Sequence, residues 1–217
     1  MGGRNGPQPI GSAGVPRVTS ASGRVIGNEA ILAYRSVRRR PPDGAKIAAT
    51  MAATSAGLLL YRRTADGDLE VLLAHPGGPF WARKDDGAWS VPKGEYGPDE
   101  DPLQTAHREF EEELGLPAPD GPTVALGEIR QSGGKRVTVW AREADLDVAG
   151  AESNTFELEW PRGSGTVKEF PEVDRVAWMA VPVARAKLLK SQVPFLDRLL
   201  SATGPAERSG QARAGDQ

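Results

Sequence analysis

The segment "REFEEELG", Arg108 to Gly115, puts Glu109, Glu111, Glu112 and Glu113 on one predicted helix, with Arg108 as the one basic residue in that segment. Like charges at i,i+4 spacing destabilise a helix, so this concentration of carboxylates calls for a reason. Glu109, Glu112 and Glu113 stand at i, i+3 and i+4, and their carboxylates project from one helical face. A cation between them removes the repulsion. The chain has no cysteine and two histidines, His75 and His107, so oxygen ligands dominate and the ion is a hard one, Mg²⁺ or alternatively Mn²⁺ rather than zinc. The competing reading is a solvated acidic face of the ordinary kind. Glu111 reads as surface in either case.

The helix carrying these groups has local start and stop signals. Asp101 suits the N-cap, Pro102 the first helical position and Gly115 the C-terminal cap. Leu103, Ala106, Phe110 and Leu114 form an apolar stripe on another side of the helix from the carboxylates. Upstream, "SAGLLLYRR" (55–63) and "LEVLLAH" (69–75) are strand-like runs joined by the turn "TADGD" and should pair as a hairpin. "AWSVP" (88–92) is predicted as a further short strand stopped by Pro92. Downstream, 123–131 and 135–143 flank "SGG" as a second hairpin, "TFELEW" (155–160) alternates, and "DRVAWMAV" (174–181) is a last strand. "VARAKLLK" and "VPFLDRLL" read as closing helices. Strands, one central helix and C-terminal helices imply an α/β protein, layered α/β/α around a mixed β-sheet.

The acidic helix is embedded in a longer pattern. Gly94 is followed after five residues by Glu100, and after seven more come Arg108, Glu109, the apolar Phe110, Glu112, Glu113, Gly115 and the apolar Leu116. This is G-x5-E-x7-R-E-U-x-E-E-x-G-U, with U apolar, the signature that the Nudix hydrolases carry. At average residue usage such a match arises by chance on the order of once in 10⁷ chains of this size. The chain therefore resembles that family over about residues 53–200. The resemblance implies a Nudix fold and hydrolysis of a nucleoside diphosphate linked to another group X. It implies that Glu109, Glu112 and Glu113 hold Mg²⁺, with the Gly94 carbonyl as a further ligand. Arg108 would orient the carboxylates and Glu100 would support the loop entering the helix. Mg²⁺ between carboxylates and phosphate oxygens neutralises charge and positions water for attack on phosphorus. A glutamate takes the proton: Glu109, or one outside the signature, with Glu172 the first candidate and Glu169 the second. The bland alternative for either outside glutamate is a loop carboxylate.

Substrate choice must come from outside the signature. The loop "HPGGPFWARKDDGAW" combines Phe80, Trp81, Arg83 and Lys84, so its cations could meet phosphates and an aromatic ring could stack on a base. The alternative is a packed lid with surface charges. Lys93 adjoins Gly94 and is a further phosphate-binding candidate. Segment 156–172 is expected as a second pocket wall with Trp160 as a stacking residue, or else as a plain hairpin with Trp160 in a core. The approach Trp-x-x-Pro-Lys-Gly (89–94) is similar to that of dinucleoside polyphosphate and diphosphoinositol polyphosphate hydrolases. The acidic domain favours the former, with nucleoside triphosphates beside them. A non-catalytic nucleotide sensor need not keep all the carboxylates. The isoprenoid diphosphate isomerases of this fold rely on a cysteine that is absent here.

Residues 1–50 carry eight basic and two acidic residues, a net of +6, which leaves −8 for the remainder of a chain whose overall charge is −2. This leader (1–52) is rich in Gly, Pro, Ser and Ala and is expected to be disordered, as is the tail 201–217. The leader could be a transit peptide, an arm for nucleic acid that would suit an RNA 5′-pyrophosphohydrolase, or an extension ahead of a natural start at Met51. No apolar run approaches the roughly 18 residues of a membrane span, and the absence of cysteine fits a reducing compartment. The expectation is a soluble cytoplasmic enzyme with a small-molecule nucleotide substrate and no membrane partner, monomeric or homodimeric.

Overall fold

The computed structural model of the protein describes residues 53–131 and 133–204; the leader and the end of the tail lie outside them. Eight strands and three helices follow in the order β1 (Thr54–Arg63), β2 (Leu69–Pro76), β3 (Lys93–Glu95), α1 (Pro102–Leu114), β4 (Val124–Arg130), β5 (Arg136–Glu143), β6 (Thr155–Glu159), β7 (Val167–Pro171), β8 (Val173–Ala180), α2 (Val181–Lys187) and α3 (Val193–Thr203). The main sheet runs β4-β5-β1-β2-β8, with β3 also on β1, and β6 and β7 form a separate two-stranded ribbon. The sheet is mixed, because β1 and β5 pair in parallel while the other pairs are antiparallel.

β1 sits at the centre, and seven consecutive positions, Ser55 to Tyr61, are buried, as expected for a strand covered on both faces. Successive side chains go to opposite layers. Ala56, Leu58 and Leu60 pack with Ala106, Phe110 and Leu114 of α1. Leu59 and Tyr61 pack with Phe195, Leu196 and Leu199 of α3 and with Val181 and Ala184 of α2. This is the α/β/α sandwich. Phe110 is fully buried, a burial that contributes about 1.5–3 kcal/mol and sets which face of α1 looks away from the core.

One edge of β1 is shared between two partners. β2 pairs with Tyr61–Arg63 and β3 with Ser55–Gly57, so β3 delivers the loop into α1 from the middle of the sheet. The predicted strand 88–92 is not a regular strand. Ser90 bridges to Ala74, Trp89 bridges to Leu188, and the Val91 amide donates to Gln192 Oε1 at 3.0 Å. Its hydrogen bonds are divided among Ala74, Lys187, Leu189, Gln192 and, through the Pro92 carbonyl, Leu58, so the regular ladder begins only at Lys93. The helix cap signals are borne out: the Asp101 side chain accepts the Gln104 amide, Pro102 opens α1, and Gly115 closes it at φ 64°. Leu103 is only half-buried, and Thr105 joins the buried positions instead. Both hairpins form as expected. α3 runs to Thr203, into the segment read as tail.

Candidate active site

The carboxylates of α1 differ in what lies against them. Glu113 meets the start of β3, where the Lys93 amide donates to its Oε2 at 3.0 Å. The Lys93 side chain is itself buried, and its charge acts on the same carboxylate. Glu109 lies over Gly94. A Cβ on residue 94 would fall 1.7 Å from Glu109 Oε2 and 1.9 Å from its Cδ, so only a bare backbone leaves room for this carboxylate. Arg108 Nη1 is 2.6 Å from Glu109 Oε1 and 3.2 Å from both oxygens of Glu112. Its Nη2 is 3.9 Å from Glu100, and Glu100 accepts the Gly97 amide at 2.7 Å, which braces the loop between β3 and α1. Glu111 points to solvent and accepts the Ala118 amide.

Glu172 arrives from a distant part of the chain. It lies between β7 and β8, its amide donating to the Asn154 carbonyl (2.8 Å) and its carbonyl accepting from Gly77 (2.9 Å). Burial raises its carboxyl above the usual range, and the charges of Glu109 and Glu112 raise it further, so it shares the electrostatic environment of the α1 cluster. Glu169 is instead engaged on the exposed ribbon, where it accepts the Thr155 hydroxyl.

The loop from Gly77 to Gly87 and the β6–β7 ribbon form an aromatic wall. Phe80 and Trp160 meet edge to face with centroids 5.3 Å apart, and Trp160 is half-buried. Lys84 Nζ stands 4.4 Å above the Trp81 ring, and Arg83 is exposed. The backbone bond from Gly77 to Glu172 sets the start of this loop next to Glu172. His75 and Asp174 escaped the sequence reasoning. His75 is fully buried beneath the loop and pairs with Asp174; the only sequence signal was an imidazole at the end of an apolar strand.

The donor chemistry fits a hard divalent cation, since every candidate ligand is a carboxylate or carbonyl oxygen. Among the described residues no three carboxylate or imidazole groups are already gathered as a ligand set, and Arg108 holds Glu109 and Glu112. The mutual stress is clear at Glu113. Its carboxyl is pushed from 4.5 to about 8, first by burial and then by Glu109 and Glu172, against the opposing effect of Lys93.

This raised value has a signed consequence. The group favours the folded state at pH below 4.5, and that stability is lost as pH climbs through about 8. A cation bound to the ionised carboxylate offsets the loss, and it must compete with the proton below pH 8. We therefore expect Mg²⁺ to raise the melting temperature of the chelator-treated protein more at pH 8.5 than at pH 6. Comparing melts with and without Mg²⁺ cancels groups remote from the cation, such as His107, whose pKa burial lowers. A Mg²⁺ increment equal at both pH values would argue against Glu113 as a metal ligand.

Residues 51–199 match the family model of the NUDIX domain. The structure is similar to C. elegans Ap4A hydrolase in a binary complex, at 21% identity over 70% of this chain and 98% of that one, with a TM-score of 0.46. It is similar to the NUDIX domain of Shewanella oneidensis NrtR complexed with ADP ribose, at 17% identity over 81% and 99% of the two chains, with a TM-score of 0.49. RenU, a Nudix hydrolase from M. smegmatis, is 26% identical over 69% and 84%, with a TM-score of 0.47. No curated protein matches the sequence.

Proposed function

The chain belongs to the NUDIX domain family, as a hydrolase acting on pyrophosphate bonds, and on that premise we propose that it is a Mg²⁺-dependent enzyme cleaving a nucleoside diphosphate linked to X. The substrate class we assign is the dinucleoside polyphosphates of the diadenosine tetraphosphate type, with nucleoside triphosphates second. Among the described residues no helix is long and apolar enough to cross a membrane, and we place the enzyme in the cytoplasm.

The observation carrying this reading is the backbone bond from the Gly77 amide to the Glu172 carbonyl, which starts the aromatic loop beside a residue whose carboxyl feels the charges of Glu109 and Glu112. A base stacked on Phe80, Trp81 or Trp160 holds its phosphates toward α1, with Arg83 and Lys84 available to the outer phosphates. Glu109, Glu112, Glu113 and the Gly94 carbonyl are the groups assigned to Mg²⁺, which supplies charge neutralisation at the diphosphate and activation of water. Arg108 keeps Glu109 and Glu112 oriented, and the buried Lys93 balances Glu113. Water forms the new O–P bond, the bridging P–O bond breaks toward the leaving phosphate, and a carboxylate accepts the water's proton. Glu172 suits that last role, because its raised pKa brings it nearer the working pH.

The test is product release by the full chain with Mg²⁺ on diadenosine polyphosphates, nucleoside triphosphates, nucleotide sugars, diphosphoinositols and 5′-triphosphorylated RNA. Diadenosine polyphosphates should be cut fastest. Preference for RNA would transfer the assignment to a 5′-pyrophosphohydrolase, and nucleotide binding without turnover of any compound would make the chain a sensor.

A further inference from the structure

The sequence "HPGGPFW" contains a group that the hydrolysis does not use. His75, at the end of β2, is completely buried, with Nδ1 2.5 Å from Asp174 Oδ1 and Nε2 2.9 Å from the Lys84 carbonyl oxygen. A carbonyl oxygen can only accept, so Nε2 carries a hydrogen. The Asp174 carboxylate at Nδ1 is the second anchor of the ring, so the imidazole is held from both nitrogens.

We propose that His75 and Asp174 are positioning residues that clamp the substrate loop through the Lys84 carbonyl and thereby set substrate affinity; the affinity part rests on the function proposed above. The loop leaves β2 at Pro76, and its first half is fastened where Gly77 donates to Glu172. Its second half is fastened at Lys84 and Asp85. The Lys84 carbonyl accepts from His75 and, at 3.4 Å, from Arg175. Asp85 accepts from the Trp89 indole at 2.8 Å and pairs with Lys187 and Arg175. Arg175 also lies 3.6 Å from Asp174, and the edge of the His75–Trp89 ring pair, 5.2 Å between centroids, fills the space beneath. The clamp fixes the backbone of Lys84 and with it the ammonium over Trp81. The clamp's bonds run to the Lys84 carbonyl and to Asp85, so its loss should be felt in binding rather than in the chemical step.

Asp174→Asn and His75→Gln test this in the full chain. Asp174→Asn preserves shape at a partly exposed side chain (28%) and so keeps the fold. Amide hydrogen exchange over residues 77–87 should accelerate about tenfold in both variants, the scale of one lost charge-assisted hydrogen bond, with α1 unchanged. For the preferred substrate KM should rise about tenfold with kcat within about threefold. Unchanged exchange over 77–87 overturns the clamp. A fall in kcat at constant KM overturns its role in affinity. If the natural chain cuts nothing, the functional proposal fails separately, and the exchange measurement still decides the clamp.

Discussion

Glu112→Gln should lower kcat/KM for the diphosphate substrate by about 10²–10⁴-fold while leaving the melting temperature in the absence of metal almost unchanged. Loss of an anionic ligand to a catalytic cation removes several kcal/mol of transition-state charge stabilisation, and each factor of ten in rate corresponds to about 1.4 kcal/mol. Stability is spared because the Glu112 side chain is 38% exposed and its ion pair with Arg108 is weak in water. Steady-state kinetics and a thermal melt on the same preparation decide the matter. A variant within tenfold of the natural rate would return the acidic face of α1 to an ordinary solvated surface.

Gly94→Ala is the second large effect, and it separates activity from folding in an unusual way. The added Cβ would overlap the carboxyl end of Glu109, at 1.7 Å from Oε2. That end belongs to a flexible side chain, so Glu109 can swing away and the backbone of β3 need not move. We expect a folded protein whose melting temperature falls by several degrees, since residue 94 is buried and moving the largely buried Glu109 aside costs on the order of 1 kcal/mol. Its activity should nevertheless fall about 10²-fold or more, because misplacing a catalytic group by about 1 Å is enough for that. Titration with Mg²⁺ should show weaker binding in parallel. Full activity in Gly94→Ala would mean that Glu109 works from a position other than the one over Gly94. Unfolding of the variant would mean that β3 cannot tolerate the methyl group.

Gly94 also shows how much of the site was legible from residue order. The spacing from Gly94 through Glu100 to Glu113 was readable, because a helix repeats every 3.6 residues and spacing alone puts Glu109, Glu112 and Glu113 on one face. The ends of α1 were equally readable: Asp101 and Gly115 act on amides and carbonyls within one turn. The two hairpins carried their own turn signals. The strand predicted at 88–92 failed for the opposite reason, since its hydrogen bonds go to Ala74, Lys187, Leu189 and Gln192, partners supplied by other segments.

The sequence by itself determined the family, the helix and its acidic face, all through patterns carried by one short segment. Tertiary structure decided the inequality among the carboxylates: Glu113 is driven to about 8 by burial at β3, while Glu112 stays open beside Arg108. It also brought Glu172 to Gly77, Trp160 to Phe80 and Asp174 to His75. Burial, and the fields that act between groups far apart in the chain, exist only once the sheet has assembled. No local pattern encodes which loop will close over which face, and that closure is what converts a row of glutamates into a site with a wall and a clamp.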